Sequence, residues 1–384
     1  MSVPLDKLYN FLDSITSRND TIIYRFFPHG SRKISNLMQL SNRRQKVMRE
    51  FGLESKLVIC NDQEPLNFEF YQSDETVDEF NQTNGNIYHS ESARQQVKLS
   101  NFKSVFGLYA QKLPVVLIHS EKRSDNLTRY EQIKCVGVYW WSHALISLDW
   151  FRYAQLDPAL HKRKVTHDFL IYNRAWSGTR EYRIKFVELL VEHGLVDQCL
   201  TWFSESDGIH YTDYKFINPG FNTTNTQLEK YFKASTVDST ASADYCSNDY
   251  VSTQIEVVLE TLFDDERLHL TEKSLRPIAC GHPFMLASTC GSLEYLRSYG
   301  FETFDGLIDE TYDTVHDPVE RLQSICQEIK RISQLPADQK SQLFVDLRQI
   351  AQRNKQRFFS PEWQQHVINE FKTNFDLAIN QIIN

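Results

Sequence analysis

No run of apolar residues in the 384-residue chain approaches the roughly 20 needed to cross a bilayer, which argues against membrane insertion. The N-terminus has no charged-then-apolar stretch of the signal-peptide kind, so a cytoplasmic protein is expected. Cysteine is sparse and scattered: the seven thiols at 60, 135, 199, 246, 280, 290 and 326 never fall in C-x-x-C spacing. An odd number without a pairing pattern excludes a disulfide scaffold and a zinc site, and reads as reduced, mostly buried thiols. The Asn222-Thr223-Thr224 sequon is then idle. No internal repeat of fixed short period is present, and only residues 71–91, polar and acidic, read as an extended surface loop.

What is present suits a globular protein. Hydrophobic residues at 41% and aromatic residues at 13% are enough for real cores, and the length suggests two domains. The net charge of −8 conceals an asymmetry. Residues 1–165 hold 22 Lys and Arg against 18 Asp and Glu, leaving 20 against 32 for the remainder. A basic first half hints at a polyanionic partner there, DNA among them, although charged faces are mostly just solvated. The strongest basic cluster is Arg43, Arg44, Lys46 and Arg49, in a segment that reads as a helix over 36–50.

Strand and helix alternate along both halves, the pattern of parallel sheets with crossover helices. In the first half, strands are expected at 21–27, 56–60, 112–118 and 136–146, with helices at 4–16, 36–50, 90–104 and 125–134. The strand ends carry the chemistry. Pro28-His29-Gly30-Ser31-Arg32 offers His29 and Arg32 as acceptor contacts or as ordinary turn residues. Asn61-Asp62-Gln63-Glu64-Pro65 places two carboxylates where they could act as acid and base or cap a turn. His119-Ser120-Glu121 follows the clearest buried strand. Residues 157–166 read as a linker. The second half restarts with strands at 168–172, 199–203 and 255–259 and a helix over 181–192. Helices at 316–332, 336–355 and 361–382 close the chain.

The stretch from Leu270 to Leu286 organises the second half. Thr271 or Ser274 can cap a helix, and Pro277, tolerated near a helix start, favours Ser274. Gly281 ends that helix, Pro283 keeps it ended, and Phe284–Ala287 is a short buried strand. Glu272, Lys273 and Arg276 then surround a helix N-terminus at the carboxyl edge of a sheet, where anions bind in α/β folds. Lys273 and Arg276 as solvated surface charges is the plainer alternative.

Glu260, followed eleven residues later by Thr271-Glu272-Lys273, resembles the nucleotide-sugar signature of α1,3-fucosyltransferase-type glycosyltransferases. The string through Gly281-His282-Pro283-Phe284 and from Leu296 to Phe304 is similar to glycosyltransferases of large tailed phages. Motif-level similarity covers about residues 167–320. The resemblance implies a GT-B α/β fold, two Rossmann-like open parallel-sheet domains facing a cleft, with C-terminal helices. The expected domains are 1–160 for the acceptor, 167–360 for the nucleotide sugar and a terminal helix over 361–384. It implies no cofactor beyond a UDP- or GDP-linked sugar donor, and the absence of any Asp-x-Asp motif agrees with a metal-independent enzyme.

Carried over residue by residue, the resemblance puts Arg183 at the donor phosphate, with Arg180 or Arg174 as substitutes, and makes Lys273 the second phosphate contact. Glu260 and Glu272 match the family's acidic residues, one of them accepting from ribose hydroxyls; Glu272 pairing with Lys273 or Arg276 stays equally open. Glu121 is the expected base, although His-Ser-Glu stands where the family has a Gly-Glu-Asn pattern; Glu64, Asp62 and His119 follow it. A retaining mechanism would need no dedicated base. The acceptor expected first is 5-hydroxymethylcytosine in DNA, glucosylated or arabinosylated as in T-even-type phages. A lipopolysaccharide or capsule glycan is the alternative acceptor, and a non-catalytic sugar-nucleotide-binding protein the alternative class.

Overall fold

A computed structural model of the chain describes residues 21–25, 58–62, 115–124, 135–203, 209–231, 233–234 and 244–383. The chain divides into two compact units, Met1–Asp149 with Gln365–Asn384, and Trp150–Gln364. It is an α/β protein in which every described strand pairing is parallel. None of the described helices is long and apolar enough to cross a membrane.

The first unit holds a sheet of β1 (Thr21–Arg25), β2 (Val58–Asp62), β3 (Val115–His119) and β4 (Cys135–Tyr139), ordered as in sequence. Val116, Leu117 and Ile118 are all buried, the continuous run of a strand covered on both faces. β4 is shorter than the sequence suggests: it stops at Tyr139, and α1 (Ser142–Trp150) begins shortly after it. Every residue from Trp140 to Trp150 is buried, so the run carries neither a helical nor a strand period and sequence cannot separate the two.

The second sheet contains β5 (Phe169–Asn173), β6 (Cys199–Phe203), β7 (Lys233–Ala234), β8 (Ile255–Leu259) and β9 (Phe284–Ala287), ordered β7-β6-β5-β8-β9. Counted within the unit this is 3-2-1-4-5, the order of doubly wound nucleotide-binding sheets. The order reverses between β5 and β8. Right-handed crossovers running outward in both directions put α2 (Tyr182–Glu192) and α4 (Glu272–Cys280) on opposite faces. The short α3 (Ser247–Ser252) precedes β8, and α5 (Ser292–Ser298) follows β9. Three helices follow, α6 (Pro318–Ser333), α7 (Ala337–Phe358) and α8 (Pro361–Ile383). α2 packs on α6, and α4 packs on α7.

Two boundaries differ from the sequence reading. Residues 157–166 are docked in the second unit and do not form a linker. Asp157 accepts from the Ser247 hydroxyl at 2.5 Å, and the backbone amides of Lys164 and Thr166 bond to the carbonyls of Val251 and Ser252. α8 is likewise no separate piece. Its first turn buries Trp363 against Phe301 and Phe358 in the second unit, and from Gln365 onward it belongs to the first.

Candidate functional site

The site begins with Glu260, the residue after β8, whose carboxylate is fully buried. One oxygen accepts from the Thr271 and Ser274 amides and the Ser274 hydroxyl at 3.0, 3.2 and 2.6 Å. The other accepts from the Thr261 amide and the Thr271 hydroxyl at 3.0 and 2.8 Å. Thr271, not Ser274, is the N-cap of α4, accepting from the Lys273 amide. The helix starts a turn earlier than Pro277 suggests, because Glu260 supplies a carboxylate to its free N–H groups from another element. Burial pushes the Glu260 pKa up, but Lys273 and the Ser274 hydroxyl outweigh it and hold the carboxyl below its usual value. Of the two carboxylates expected to share the ribose role, Glu260 has its oxygens occupied by five protein donors.

Lys273 stands on the first turn of α4 with its side chain 23% exposed. Its ammonium lies 2.8 Å from Glu272 Oε1, 3.1 Å from Thr271 Oγ1 and 3.4 Å from Thr261 Oγ1. Glu272 thus pairs with Lys273, the plainer of its two readings. These three acceptors match the three N–H groups of the ammonium and Glu272 balances its charge, so an incoming anion would meet Lys273 by displacing one of them.

Arg183 departs from the expected phosphate contact. It is 3% exposed and its guanidinium points inward, donating to the carbonyls of Ala175 at 2.5 Å, Leu259 at 2.6 Å and Glu260 at 2.9 Å. It clamps the loop after β5 to the end of β8, across the point where strand order reverses. Tyr182, which no sequence motif singles out, works beside it. Its hydroxyl donates to the carbonyl of Glu260 at 2.7 Å, and its ring stacks on Phe263 at 4.1 Å. Burial raises this phenol to about 12, so it remains a donor. Strand-end position is the signal that could have found Thr261; nothing local marks Tyr182.

Arg276 is also corrected. It is buried, pairs with Glu256 at 2.7 Å, donates to the Tyr250 hydroxyl at 2.9 Å and lies 4.3 Å from the Tyr172 ring centroid. It points towards the core beneath α4. Arg174 and Arg180 remain on the loop after β5, both half-buried. That loop is shaped by Gly178 (φ 62°), whose amide donates to the Tyr214 hydroxyl at 2.8 Å.

In the first unit, the carboxyl end of β3 presents His119, Ser120 and Glu121, all buried. His119 Nδ1 accepts from the Glu121 amide at 3.3 Å, so a neutral ring carries its proton on Nε2. Burial lowers its pKa to about 4. Lys122 lies 4.6 Å over the Tyr139 ring and 4.0 Å from Glu370; burial lowers its pKa against that carboxylate. Arg123 follows with φ 56°, a left-handed conformation that non-glycine residues seldom adopt outside constrained sites. Asp62 ends β2. His29, Arg32, Arg43, Arg44 and Glu64 lie outside the described residues.

Fold and site together define an α/β protein with a doubly wound strand order and, after β8, a helix start at which Lys273 is paired with Glu272 above the buried Glu260. No protein-family model matches the chain, and no curated protein or solved structure matches it.

Proposed function

We propose that the chain is a nucleotide-sugar-dependent glycosyltransferase of GT-B organisation, with the second unit taking the donor and the first the acceptor. The observation that carries the reading is Lys273, a partly exposed lysine on the helix start beside the strand-order reversal of a 3-2-1-4-5 sheet. Diphosphate groups bind in that position in α/β sheets. Here Glu260 and Thr271 take the helix-start amides of Thr271, Lys273 and Ser274, so the Lys273 side chain is the group that would meet the phosphate. As the glycosidic bond to the donor breaks, charge accumulates on the diphosphate, and a fixed cation stabilises that charge without reorganising. Arg174 and Arg180, on the loop after β5, are the further cations for the same group. Arg183, Glu260 and Tyr182 hold the strand ends in register and touch no ligand.

Glu121 is the proposed base, taking the proton of the attacking hydroxyl. Its place after a buried strand of the first unit supports the role, as does the neutral His119 bonded to its amide. The proposed acceptor is 5-hydroxymethylcytosine in DNA, supported by the basic first half of the sequence. Incubation with UDP- and GDP-linked sugars and hydroxymethylated or plain DNA, followed by product mass, tests the whole reading. A hexose or pentose increment on modified DNA alone is the expected result. Donor cleavage without a DNA product would move the acceptor to a glycan. Absence of both binding and cleavage across the donor panel would sink the enzyme reading.

A further inference from the structure

At the amino edge of the second sheet, opposite the edge that carries Lys273, two arginines converge on one neutral side chain. Arg163 lies in the segment leading into β5, and Arg348 lies on α7. Arg163 donates to the carbonyls of Tyr250 at 2.8 Å and Thr253 at 2.5 Å, and to Gln254 Oε1 at 2.8 Å. Arg348 donates to that same Gln254 oxygen at 2.7 Å. One amide oxygen therefore holds two guanidinium groups, with donor nitrogens within roughly 5.5 Å of each other. The nearby ring of His282 is buried and kept neutral by burial and by these two arginines.

Like charges at this separation repel unless an anion joins them. Other arginines of the second unit have such a partner: Arg267, Arg276, Arg297, Arg331 and Arg353 each pair with a carboxylate. Among the described residues, no carboxylate pairs with Arg163 or Arg348. Solvated side chains that happen to meet are the plainer account. Three protein acceptors fixing Arg163, and a shared one aiming Arg348 at it, go beyond a chance encounter. A guanidinium carries five N–H groups. Arg163 directs three of them and Arg348 one to protein acceptors, so the fork of Arg348 is left to donate elsewhere. The free fork of Arg348 matches two oxygens of a tetrahedral dianion, with the charge of Arg163 beside it. Partial burial of the Arg163 head, and then the charge of Arg348, lowers its pKa to about 10, which leaves it charged at neutral pH.

We propose that Arg163, Gln254 and Arg348 form a binding site for a phosphate group, carried by inorganic phosphate or by a small phosphomonoester. Bound there, the anion would tie the segment entering β5 to α7. The site is separate from the donor site and does not rest on the glycosyltransferase reading.

The test is calorimetric titration of the full chain with inorganic phosphate and with glycerol 3-phosphate, at ionic strength held constant with sodium chloride. Saturable binding of either is expected; tighter binding of the ester would identify phosphomonoesters as the source. Arg348→Ala should weaken it by about tenfold or more, since it removes a charge-assisted contact. Lys273→Ala should leave it unchanged, which separates this site from the donor site. Gln254→Glu places a carboxylate between the two guanidiniums; it should raise the melting temperature and abolish phosphate binding. Equal affinity in wild type and Arg348→Ala, or no stabilisation by Gln254→Glu, would overturn the proposal, and the second variant decides even if the first fails to fold.

Discussion

At the scale of single residues, the site separates groups that hold from groups left facing outward. Glu260, Arg183 and Arg276 are buried against protein partners, whereas the Lys273 side chain is 23% exposed. Lys273→Ala should lower kcat of the proposed transfer about 10²–10³-fold, the loss typical of one fixed donor to a developing charge. It should also lower the melting temperature, because it leaves the buried Glu260 and Glu272 carboxylates without their cation. Near-normal turnover in that variant would remove Lys273 from the donor site. His119 makes a different prediction. Its folded pKa, about 4, lies below the ordinary 6.5, so between these values the unfolded chain binds more protons than the folded one. Stability should then fall as pH drops from 6.5 towards 4, by about 3 kcal/mol at the low end. His119→Gln should flatten that part of the pH–stability profile; an unchanged slope in thermal melts from pH 7 to pH 4 would show that another group carries it.

At the scale of elements, β6, β8 and β9 stand where sequence reading places them, because each is a short apolar run bounded by polar or turn residues. Gly281 ends α4 at φ 65°, as its position before Pro283 indicates. The start of α4 escapes sequence reading for the opposite reason: its stabilising carboxylate, Glu260, is eleven residues away in sequence and on another element. Arg183 shows the same limit. Its sequence position marks it as a cation near a strand-loop-helix turn, but only folding brings it to Leu259, 76 residues on. The residues read as donor contacts are thus legible as a neighbourhood, while the division between holding and facing outward is not. Gly281→Ala tests the C-terminal end of this element. A Cβ there would meet the Gln352 side chain at 2.5 Å in a left-handed backbone. The expected cost is about 1–2 kcal/mol, read as a lower denaturation midpoint with an unchanged m-value. No loss of stability would mean that α7 yields freely at Gln352 and that α4 ends without need of the left-handed residue.

At the scale of the whole molecule, the uneven charge bears on the acceptor. Residues 1–165 carry a small basic excess while the rest is strongly acidic, so a polyanion would be drawn to the first half and repelled by the second. Arg43, Arg44, Lys46 and Arg49 are the densest part of that excess and lie outside the described residues. If DNA is the acceptor, these four are expected among its phosphate contacts. Each Lys or Arg that neutralises a phosphate releases condensed counterions, so the affinity should fall steeply and log-linearly with salt. Replacing Arg43 and Arg44 together with Gln should weaken binding to modified and plain DNA alike, and should reduce the salt slope by about 2, because backbone contacts position the duplex without reading its bases. The hydroxymethyl group must also leave the base stack to reach a donor sugar, so a fluorescent base analogue beside the target should brighten on binding. A glycan acceptor predicts the reverse on every count: no affinity for DNA at low ionic strength, turnover indifferent to salt, and an Arg43/Arg44 double variant that transfers sugar as well as the wild type.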